Sequence, residues 1–319
     1  MNLVITDCDH DTIDEELAVA AARGLALELA QCRTEDDVIA AARDADAIVV
    51  QYAPITDRVL AALPRLRAIG RYGVGVDTVD VAAATARGIA VCNVPDYGTE
   101  DVSDHAIALA LTLVRGIVQF DRAMRGGEYA LSHAKPLHRT KETVFGVVGL
   151  GRIGLATARK ARALGFSVLG CDRRDDPIAS SDGITVVDFE TLLSQSDVIS
   201  LHVPFDDTTR HLIDAVAISQ MKHGAMLVNT CRGGVVDTAA VVEALRSGAL
   251  KGAGLDVFEE EPLPAESLLY DLPGAALTPH AAWYSEESES ELKRRAVENV
   301  IDVCEGITPR DILNPEVLS

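Results

Sequence analysis

The chain has 319 residues and is 48% hydrophobic, which is enough for about two domains with sizeable cores. Its 49 acidic and 29 basic residues give a formal net charge of −20, which argues against nucleic acid or an anionic membrane surface as a partner. No apolar run approaches the ~20 residues of a membrane span, and six scattered cysteines without a CxxC pair predict a cytoplasmic protein with reduced thiols.

The N-terminal third alternates short β-rich runs with alanine-rich amphipathic stretches, a pattern typical of an α/β fold. Glu35–Asp44 and Val79–Arg87 predict two of its helices. We therefore expect a complete small doubly wound unit here, with strands at Leu3–Thr6, Leu25–Leu29, Ala47–Tyr52, Leu66–Ile69 and Ile89–Cys92.

The sequence after Pro95 predicts a long helix, a second and larger set of strands, and a second long helix at the end of the chain. The first helix, Thr99–Arg125, contains the apolar stretch Ala106–Val114, which predicts a buried helix. The second, Glu286–Glu305, closes the chain and is strongly charged. Strands are expected near Val144–Val148, Ser167–Cys171, Val198–His202, Ala225–Asn229, Gly252–Asp256 and Ala276–Thr278.

The run Phe145–Gly154 predicts a buried strand, a glycine turn and a helix start. In a dinucleotide fingerprint, Gly149 permits the tight turn, Gly151 lets the backbone approach a pyrophosphate, and Gly154 lets helix and strand pack closely. Asp172 stands 18 residues past Gly154, where it can accept hydrogen bonds from an adenosine ribose. The pattern predicts a dinucleotide site, and a glycine-rich turn without a ligand is the alternative.

Asp172 also bears on the choice of cofactor. Its carboxylate would repel a 2′-phosphate, which favours NAD over NADP. Arg173 and Arg174 follow directly, and they either pair with such a phosphate or are solvated surface charges.

The position of the fingerprint near the middle of the chain implies that the N-terminal unit is not the nucleotide domain. We place the closing helix back on that unit, so the chain crosses between domains near Pro95–Thr99 and near Trp283–Ser285. Two crossings make a hinge with a cleft, a common place for ligands. The predicted fold class is α/β, with two doubly wound, Rossmann-like domains on parallel sheets: residues 1–97 with 285–319, and residues 98–284.

Polar residues follow three strands of the second unit, at the edge where an open α/β sheet binds its ligands. Arg232 follows the first strand, the acidic run Glu259–Glu261 the second, and His280 the third. Arg232 can hold a substrate carboxylate through a bidentate fork, and His280 can protonate the oxygen of a 2-keto acid as hydride arrives from NADH. A neighbouring glutamate would orient the imidazole. The alternatives are a loop-capping arginine and a histidine that is satisfied at a strand end.

Three further polar residues have less specific interpretations. His202 ends a strand and indicates a structural part of the cofactor loop rather than a catalytic role. His105 lies in an apolar helix and predicts a core or interface position. Cys231 beside Arg232 could have a lowered pKa, although packing is the simpler reason for its presence.

These segments resemble the D-isomer-specific 2-hydroxyacid dehydrogenase family over nearly the whole chain. Arg71–Asp77 and Asn93–Thr99 fit the family's substrate loop and hinge. The resemblance implies a flavodoxin-like substrate domain built from both termini, a central NAD-binding domain and a homodimer formed through that domain. The family's catalytic set falls on Arg232, Glu261 and His280.

The resemblance also implies individual contacts. Asp256 falls where the family contacts the nicotinamide amide, and Thr99 falls near the pyrophosphate. Substrate is expected between Arg232, His280 and the backbone of Val74–Gly75. The implied cofactor set is Thr99, Gly149, Gly151, Arg152, Ile153, Gly154, Asp172, His202, Val203, Pro204, Thr230, Cys231, Asp256 and His280. The implied substrate set is Tyr72, Val74, Gly75, Arg232 and Trp283, and no metal ligand is expected.

Within the family, His280–Glu286, supported by Asp175–Gly183, resembles the C-terminal-binding-protein branch, which includes NAD(H)-responsive corepressors. Trp283 would form an apolar wall beside the substrate or pack at the hinge. The sequence predicts an NAD-dependent oxidoreductase acting on a small D-2-hydroxy acid or 2-keto acid, with an NAD(H)-sensing interaction protein as the alternative. The small or apolar residues around Tyr72–Val76 disfavour 3-phosphoglycerate, although Arg71 is a basic residue nearby.

Overall fold

The structure is a computed structural model that describes residues 1–173 and 182–318. The chain divides into two compact units: a first unit of Met1–Gly98 with Ser285–Ser319, and a second unit of Thr99–Tyr284. No helix in the described part of the chain combines the length and the apolar content that crossing a bilayer requires.

The first unit is built on a five-stranded parallel sheet of order β2-β1-β3-β4-β5. Most of its strand residues are buried apolar side chains, as expected for a parallel sheet covered on both faces. Its strands are β1 (Leu3–Ile5), β2 (Leu27–Leu29), β3 (Ala47–Val50), β4 (Ala68–Arg71) and β5 (Ala90–Cys92). Its N-terminal helices are α1 (Asp14–Ala22), α2 (Glu35–Ala41), α3 (Asp57–Ala62) and α4 (Val81–Ala86).

The described part of the second unit forms a seven-stranded parallel sheet of order β12-β11-β10-β9-β6-β7-β8. After β8 the chain returns to the other side of β6, so a topological switch point lies between β6 and β9. The strands are β6 (Val144–Val148), β7 (Ser167–Cys171), β8 (Thr185–Val186), β9 (Val198–Leu201), β10 (Ala225–Asn229), β11 (Leu250–Leu255) and β12 (Ala275–Leu277). The helices are α5 (Thr99–Val114), α6 (Ile117–Arg125), α7 (Arg152–Ala163), α8 (Phe189–Gln195), α9 (Ala215–Gln220) and α10 (Thr238–Ser247).

The predicted single helix Thr99–Arg125 is wrong, because the chain breaks between α5 and α6. Gly116 adopts a left-handed conformation with φ of 62° and forms the N-cap of α6. A side chain at this position would also place its Cβ 2.3 Å from the Cβ of Ala134. The apolar stretch Ala106–Val114 lies inside α5 and contributes to the core, as predicted.

The closing helix, α11 (Glu286–Glu305), packs in the first unit against α1 and the sheet. Its approach to β4 is close, since a Cβ on Gly70 would lie 2.7 Å from the carbonyl oxygen of Ala296. Ser285 and Ser288 form a capping box that satisfies the first backbone N–H groups of the helix. Two parallel sheets, with both termini contributing to the first unit, confirm the predicted fold class.

Candidate active site

The glycine turn between β6 and α7 lies at the switch point. Gly149 has φ of 91°, and a Cβ on it would lie 2.4 Å from the carbonyl oxygen of His202 on the neighbouring strand's loop. A Cβ on Gly154 would lie 1.8 Å from the carbonyl oxygen of Gly149. At Gly151, by contrast, no atom of the described residues lies within 4 Å of the position that a Cβ would take. A side chain would therefore collide with neighbouring backbone at Gly149 and Gly154, whereas there is open space at Gly151, beside the N-terminus of α7.

A cavity of about 690 Å³ opens at the carboxyl ends of β6, β7 and β9. Asp172 lies in its wall, and its Oδ2 accepts a hydrogen bond of 2.7 Å from the Leu150 N–H, which ties the carboxylate to the glycine turn. Six residues of the predicted cofactor set line this cavity: Gly149, Gly151, Asp172, His202, Val203 and Pro204. Sequence reasoning missed Phe189, Thr208 and Leu212, which reach the same cavity from segments without a local motif.

Arg173 also lies in the cavity wall, but its guanidinium is engaged within the unit. Nη1 donates to Thr208 Oγ1 at 2.6 Å, and Nη2 lies 3.4 Å from Asp206 Oδ2. The alternative pairing of Arg173 with a 2′-phosphate would have to compete with these contacts. Arg174 and the segment 175–181, which entered the sequence predictions, lie outside the described residues.

His202 fits the structural role predicted for it. Its Nε2 lies 2.9 Å from Ser200 Oγ, and burial lowers the pKa of its imidazole to about 3. The ring is therefore neutral at neutral pH and does not exchange a proton there.

The loop after β10 carries Arg232 and is held by Asn229, a fully buried residue that sequence reasoning missed as a functional position. Asn229 Oδ1 accepts from the Cys231 N–H at 3.1 Å, and its Nδ2 donates to the Arg232 carbonyl at 2.9 Å. Gly233 fixes the loop against the next one, since a Cβ there would lie 1.9 Å from the Phe258 carbonyl oxygen. The loop that carries Arg232 is thus held by hydrogen bonds with Asn229 before it and by close packing of Gly233 after it.

Cys231 and Thr230 precede Arg232 in this loop, and both are predicted cofactor contacts. Burial raises the pKa of the Cys231 thiol, and this exceeds the opposing effect of the nearby N–H groups and Arg232, so the alternative of a lowered pKa is wrong. Thr230 is buried, and its hydroxyl has no hydrogen-bond partner among residues 1–173 and 182–318. A buried hydroxyl without a partner indicates a place where a bound ligand would complete the hydrogen bonding.

His280 and Glu261 form a close pair, with 2.7 Å between Nδ1 and Oε2. Because a carboxylate can only accept hydrogen bonds, the imidazole donates from Nδ1. Nε2 is then the ring nitrogen that remains for proton exchange. Glu261 Oε1 also accepts from the Phe258 N–H at 2.9 Å. Burial alone would raise the pKa of Glu261, but the hydrogen bond and charge of His280, the Phe258 N–H and the charge of Arg232 together lower it. The carboxylate therefore stays ionised beside the imidazole at neutral pH.

The structure distinguishes the consecutive glutamates that sequence chemistry alone could not. Glu259 turns to a different histidine, with 2.6 Å between its Oε1 and His211 Nε2. Its other oxygen accepts from the Thr238 N–H at the start of α10. Glu261 is the one that pairs with His280, as the family resemblance implied.

Asp256 directly follows β11 and is fully buried. Its carboxylate accepts hydrogen bonds from the Thr278 hydroxyl and from the N–H groups of Ala281 and Ala282. His105 on α5 reaches the same cluster, with Nε2 2.9 Å from Thr278 Oγ1. The nicotinamide contact predicted for Asp256 stays a prediction.

The predicted substrate contacts from the first unit lie on Tyr72, Val74 and Gly75. Tyr72 is 2% exposed, and its hydroxyl donates to Glu16 Oε1 at 2.9 Å. The ring of Tyr72 therefore lies inside the unit with its hydroxyl engaged there, and the substrate contact implied for this residue stays a prediction. Val74 accepts a hydrogen bond from Asn93 Nδ2 through its carbonyl, and its role and that of Gly75 stay predictions.

Trp283 lies in the second unit, next to the boundary with the first. Its ring packs edge-to-face against Tyr284, with 5.7 Å between centroids. This contact leaves both interpretations of Trp283, substrate wall and hinge packing, as predictions.

Comparisons with known proteins agree with this geometry. Residues 107–282, more than half of the chain, match the family model "D-isomer specific 2-hydroxyacid dehydrogenase, NAD binding domain". A glyoxylate reductase of Korarchaeum cryptofilum is 41% identical over 88% of this chain and 86% of its own length. A D-3-phosphoglycerate dehydrogenase of Archaeoglobus fulgidus is 36% identical over 94% of this chain, which spans 57% of that longer protein.

Solved structures show the same similarity. The structure of D-lactate dehydrogenase from Aquifex aeolicus, complexed with NAD and lactic acid, superposes with a TM-score of 0.89 at 29% identity, over 98% of this chain and 99% of that one. The glycine turn, the cavity with Asp172 and the matched domain together show an NAD-binding enzyme. The chain belongs to the D-isomer specific 2-hydroxyacid dehydrogenase family.

Proposed function

We propose that the protein interconverts a small D-2-hydroxy acid and its 2-keto acid, with His280 as general acid and base, Glu261 orienting it and Arg232 binding the substrate carboxylate. The observation that carries this proposal is the Glu261–His280 pair in the unit that also holds the cofactor cavity. The charge of Arg232 is also among the groups that lower the pKa of Glu261, which supports a common site for the two residues.

Each residue has a distinct task. Arg232 offers a planar fork of N–H donors, which suits a carboxylate and holds the adjoining carbonyl in a fixed orientation. In reduction, His280 donates a proton to the carbonyl oxygen, and in oxidation it takes the proton of the hydroxyl, which is worth about 10²–10⁴ in rate. Glu261 fixes the orientation of the imidazole by accepting the hydrogen bond from its Nδ1. NADH, when bound, supplies the hydride.

The residues around the cavity fit NAD. The open side of Gly151 leaves room for phosphates at the N-terminus of α7, a 12-residue helix whose first N–H groups favour an anion. Asp172 suits a ribose with free hydroxyls and disfavours a 2′-phosphate. The buried hydroxyl of Thr230, without a partner in the described residues, would gain one from the cofactor.

The small size of the substrate rests on the relatives and on the sequence. The relatives are named for glyoxylate, D-3-phosphoglycerate and, in Methylorubrum extorquens, glycerate. The segment Tyr72–Val76 supplies no basic side chain of its own for a phosphate, so we favour an unphosphorylated 2-keto acid such as glyoxylate or hydroxypyruvate.

A panel of 2-keto acids tests the function. We expect NADH oxidation at 340 nm with at least one small member among glyoxylate, hydroxypyruvate and pyruvate, and a kcat/KM at least about tenfold lower with NADPH, because Asp172 repels the 2′-phosphate. Longer aliphatic and aromatic keto acids complete the panel. No turnover on any member, with NADH binding retained, would favour the sensing protein that is the alternative function.

The glycine turn gives a paired test of the cofactor site. Gly154→Ala should lower the free energy of unfolding by about 1–3 kcal/mol, because its methyl group collides with the backbone of Gly149. Gly151→Ala should leave thermal stability unchanged and weaken NADH binding, because its methyl group meets only the open side of the turn. Equal NADH affinity in Gly151→Ala and the wild type would show that the phosphates lie elsewhere.

We also propose that the protein is a homodimer formed through the second unit. Four apolar side chains on α6 and just after it are strongly exposed: Ile117, Met124, Tyr129 and Leu131. Such a patch favours a protein interface. The resemblance of His280–Glu286 to the C-terminal-binding-protein branch stays a prediction, since the relatives named above are reductases and dehydrogenases.

A further inference from the structure

The turn that carries His280 forms three hydrogen bonds with Asp256. The Asp256 carbonyl accepts from the His280 N–H at 2.8 Å. Its carboxylate accepts from the next two residues of the turn, with Oδ1 2.9 Å from the Ala281 nitrogen and Oδ2 2.9 Å from the Ala282 nitrogen. Both the backbone and the side chain of Asp256 thus hold the polypeptide on either side of the imidazole.

His280 needs such a restraint, because its backbone is in the left-handed region. Its φ is 53°, a conformation that residues with a Cβ rarely adopt and that persists only where surrounding contacts impose it. Relaxation of this residue would swing the imidazole away from Glu261. The hydrogen bonds to Asp256 therefore fix the direction in which the ring points.

The anchor extends beyond Asp256 to helix α5. Thr278 Oγ1 lies 2.5 Å from Asp256 Oδ1 and 2.9 Å from His105 Nε2. The hydroxyl has one proton, which it donates to the carboxylate, so His105 must donate from Nε2 to the hydroxyl oxygen. His105 Nε2 also lies 3.6 Å from Asp256 Oδ1. A directed chain of hydrogen bonds thus runs from α5 through Thr278 to the anchor of the His280 turn.

We propose that His105, Thr278 and Asp256 form a positioning chain that sets the orientation of His280 for proton transfer. This inference rests on the proposed function, since it assigns these residues through the role of His280. Thr278 and His105 are positioning residues in it and touch no reacting atom. Because a small misplacement of a reacting group can cost about 10²-fold in rate, loss of the chain should reduce turnover.

Thr278 permits a matched test, because valine replaces its hydroxyl by a methyl group and serine keeps the hydroxyl. We expect Thr278→Val to lower kcat at least about tenfold, with the Kd for NADH and the KM for the keto acid each within about twofold of wild type. Thr278→Ser should restore kcat to within about threefold. Equal kcat in Thr278→Val and wild type, or an equal loss in the serine variant, would overturn the proposal.

A double-mutant cycle separates positioning from general damage. In a His280→Ala background, Thr278→Val should change the residual rate by less than about twofold, because there is no imidazole left to orient. A tenfold loss in both backgrounds would assign Thr278 a purely structural role and overturn the inference. Wild-type turnover in His280→Ala alone would instead overturn the proposed function.

A second variant keeps the inference testable should Thr278→Val fail to fold. His105→Leu removes the far end of the chain from α5 without altering the turn. It should lower kcat by about threefold or more at unchanged NADH affinity, and wild-type kcat in a folded His105→Leu protein would contradict the positioning chain.

Discussion

Replacement of His280 by alanine is expected to lower kcat by about 10²–10⁴-fold and to leave the Kd for NADH within about threefold of wild type. The loss follows from removal of the group that exchanges a proton with the substrate oxygen. Stopped-flow measurement of NADH oxidation with saturating keto acid gives kcat, and fluorescence quenching gives the NADH affinity.

The chain offers a matched control for this variant. His211 pairs with Glu259 at 2.6 Å in the same unit, much as His280 pairs with Glu261 at 2.7 Å. Because His211 has no role in the proposed proton transfer, His211→Ala should keep wild-type turnover. If the two variants lost activity equally, the assignment of the proton-transferring residue would be wrong.

Replacement of Arg232 by alanine should lower kcat/KM for the keto acid by about 10²–10³-fold, chiefly through a higher KM. The reason is the loss of two charge-assisted hydrogen bonds to the substrate carboxylate. Arg232→Lys should fall between alanine and wild type, because lysine keeps the charge but not the planar fork. Steady-state kinetics with the same keto acid measures both variants.

Arg232→Ala also predicts a change in pH dependence. The arginine charge is one of the groups that hold the pKa of Glu261 below its ordinary value, so that pKa rises when the charge is removed. A raised pKa means that the carboxylate becomes protonated at a higher pH, so the acid-side loss of activity should begin at a higher pH than in wild type. Arg210, which lies over the Phe205 ring at 4.7 Å, is the matched control, and Arg210→Ala should change neither kcat/KM nor this profile.

Local sequence patterns predicted much of the fold because each pattern reflects a physical preference of residues that are close together in the chain. Strands β6, β7 and β10 have the bounds that their apolar runs indicated, and α11 spans its predicted range. The glycine turn could also be predicted from the sequence, because only a residue without a Cβ fits the close approach of the backbone at Gly154. Arg232 and His280 were predicted as site residues because each lies three residues after the end of an apolar strand pattern.

Other features depend on contacts that no local pattern contains. The break between α5 and α6 follows from the left-handed Gly116, but an isolated glycine in a helical stretch does not by itself indicate a break. Tyr72 belongs to a substrate-loop motif, yet burial of its hydroxyl against Glu16 is decided by a helix 56 residues earlier. The link from His105 to Thr278 joins residues 173 positions apart. Short β8 is an edge strand of two residues, too short for alternation to indicate it.

The most direct test of the account is the fate of the hydride. The wild-type enzyme would be incubated with NADH that carries deuterium at the transferable C4 position and with a keto acid from the panel that is turned over and whose 2-hydroxy product is chiral. The 2-hydroxy acid would then be analysed by mass spectrometry and chiral chromatography. We predict one deuterium on C2 of a D-configured product, formed at a rate that falls with His280→Ala. An L-configured product, or NADH consumption without deuterium in the product, would contradict the account.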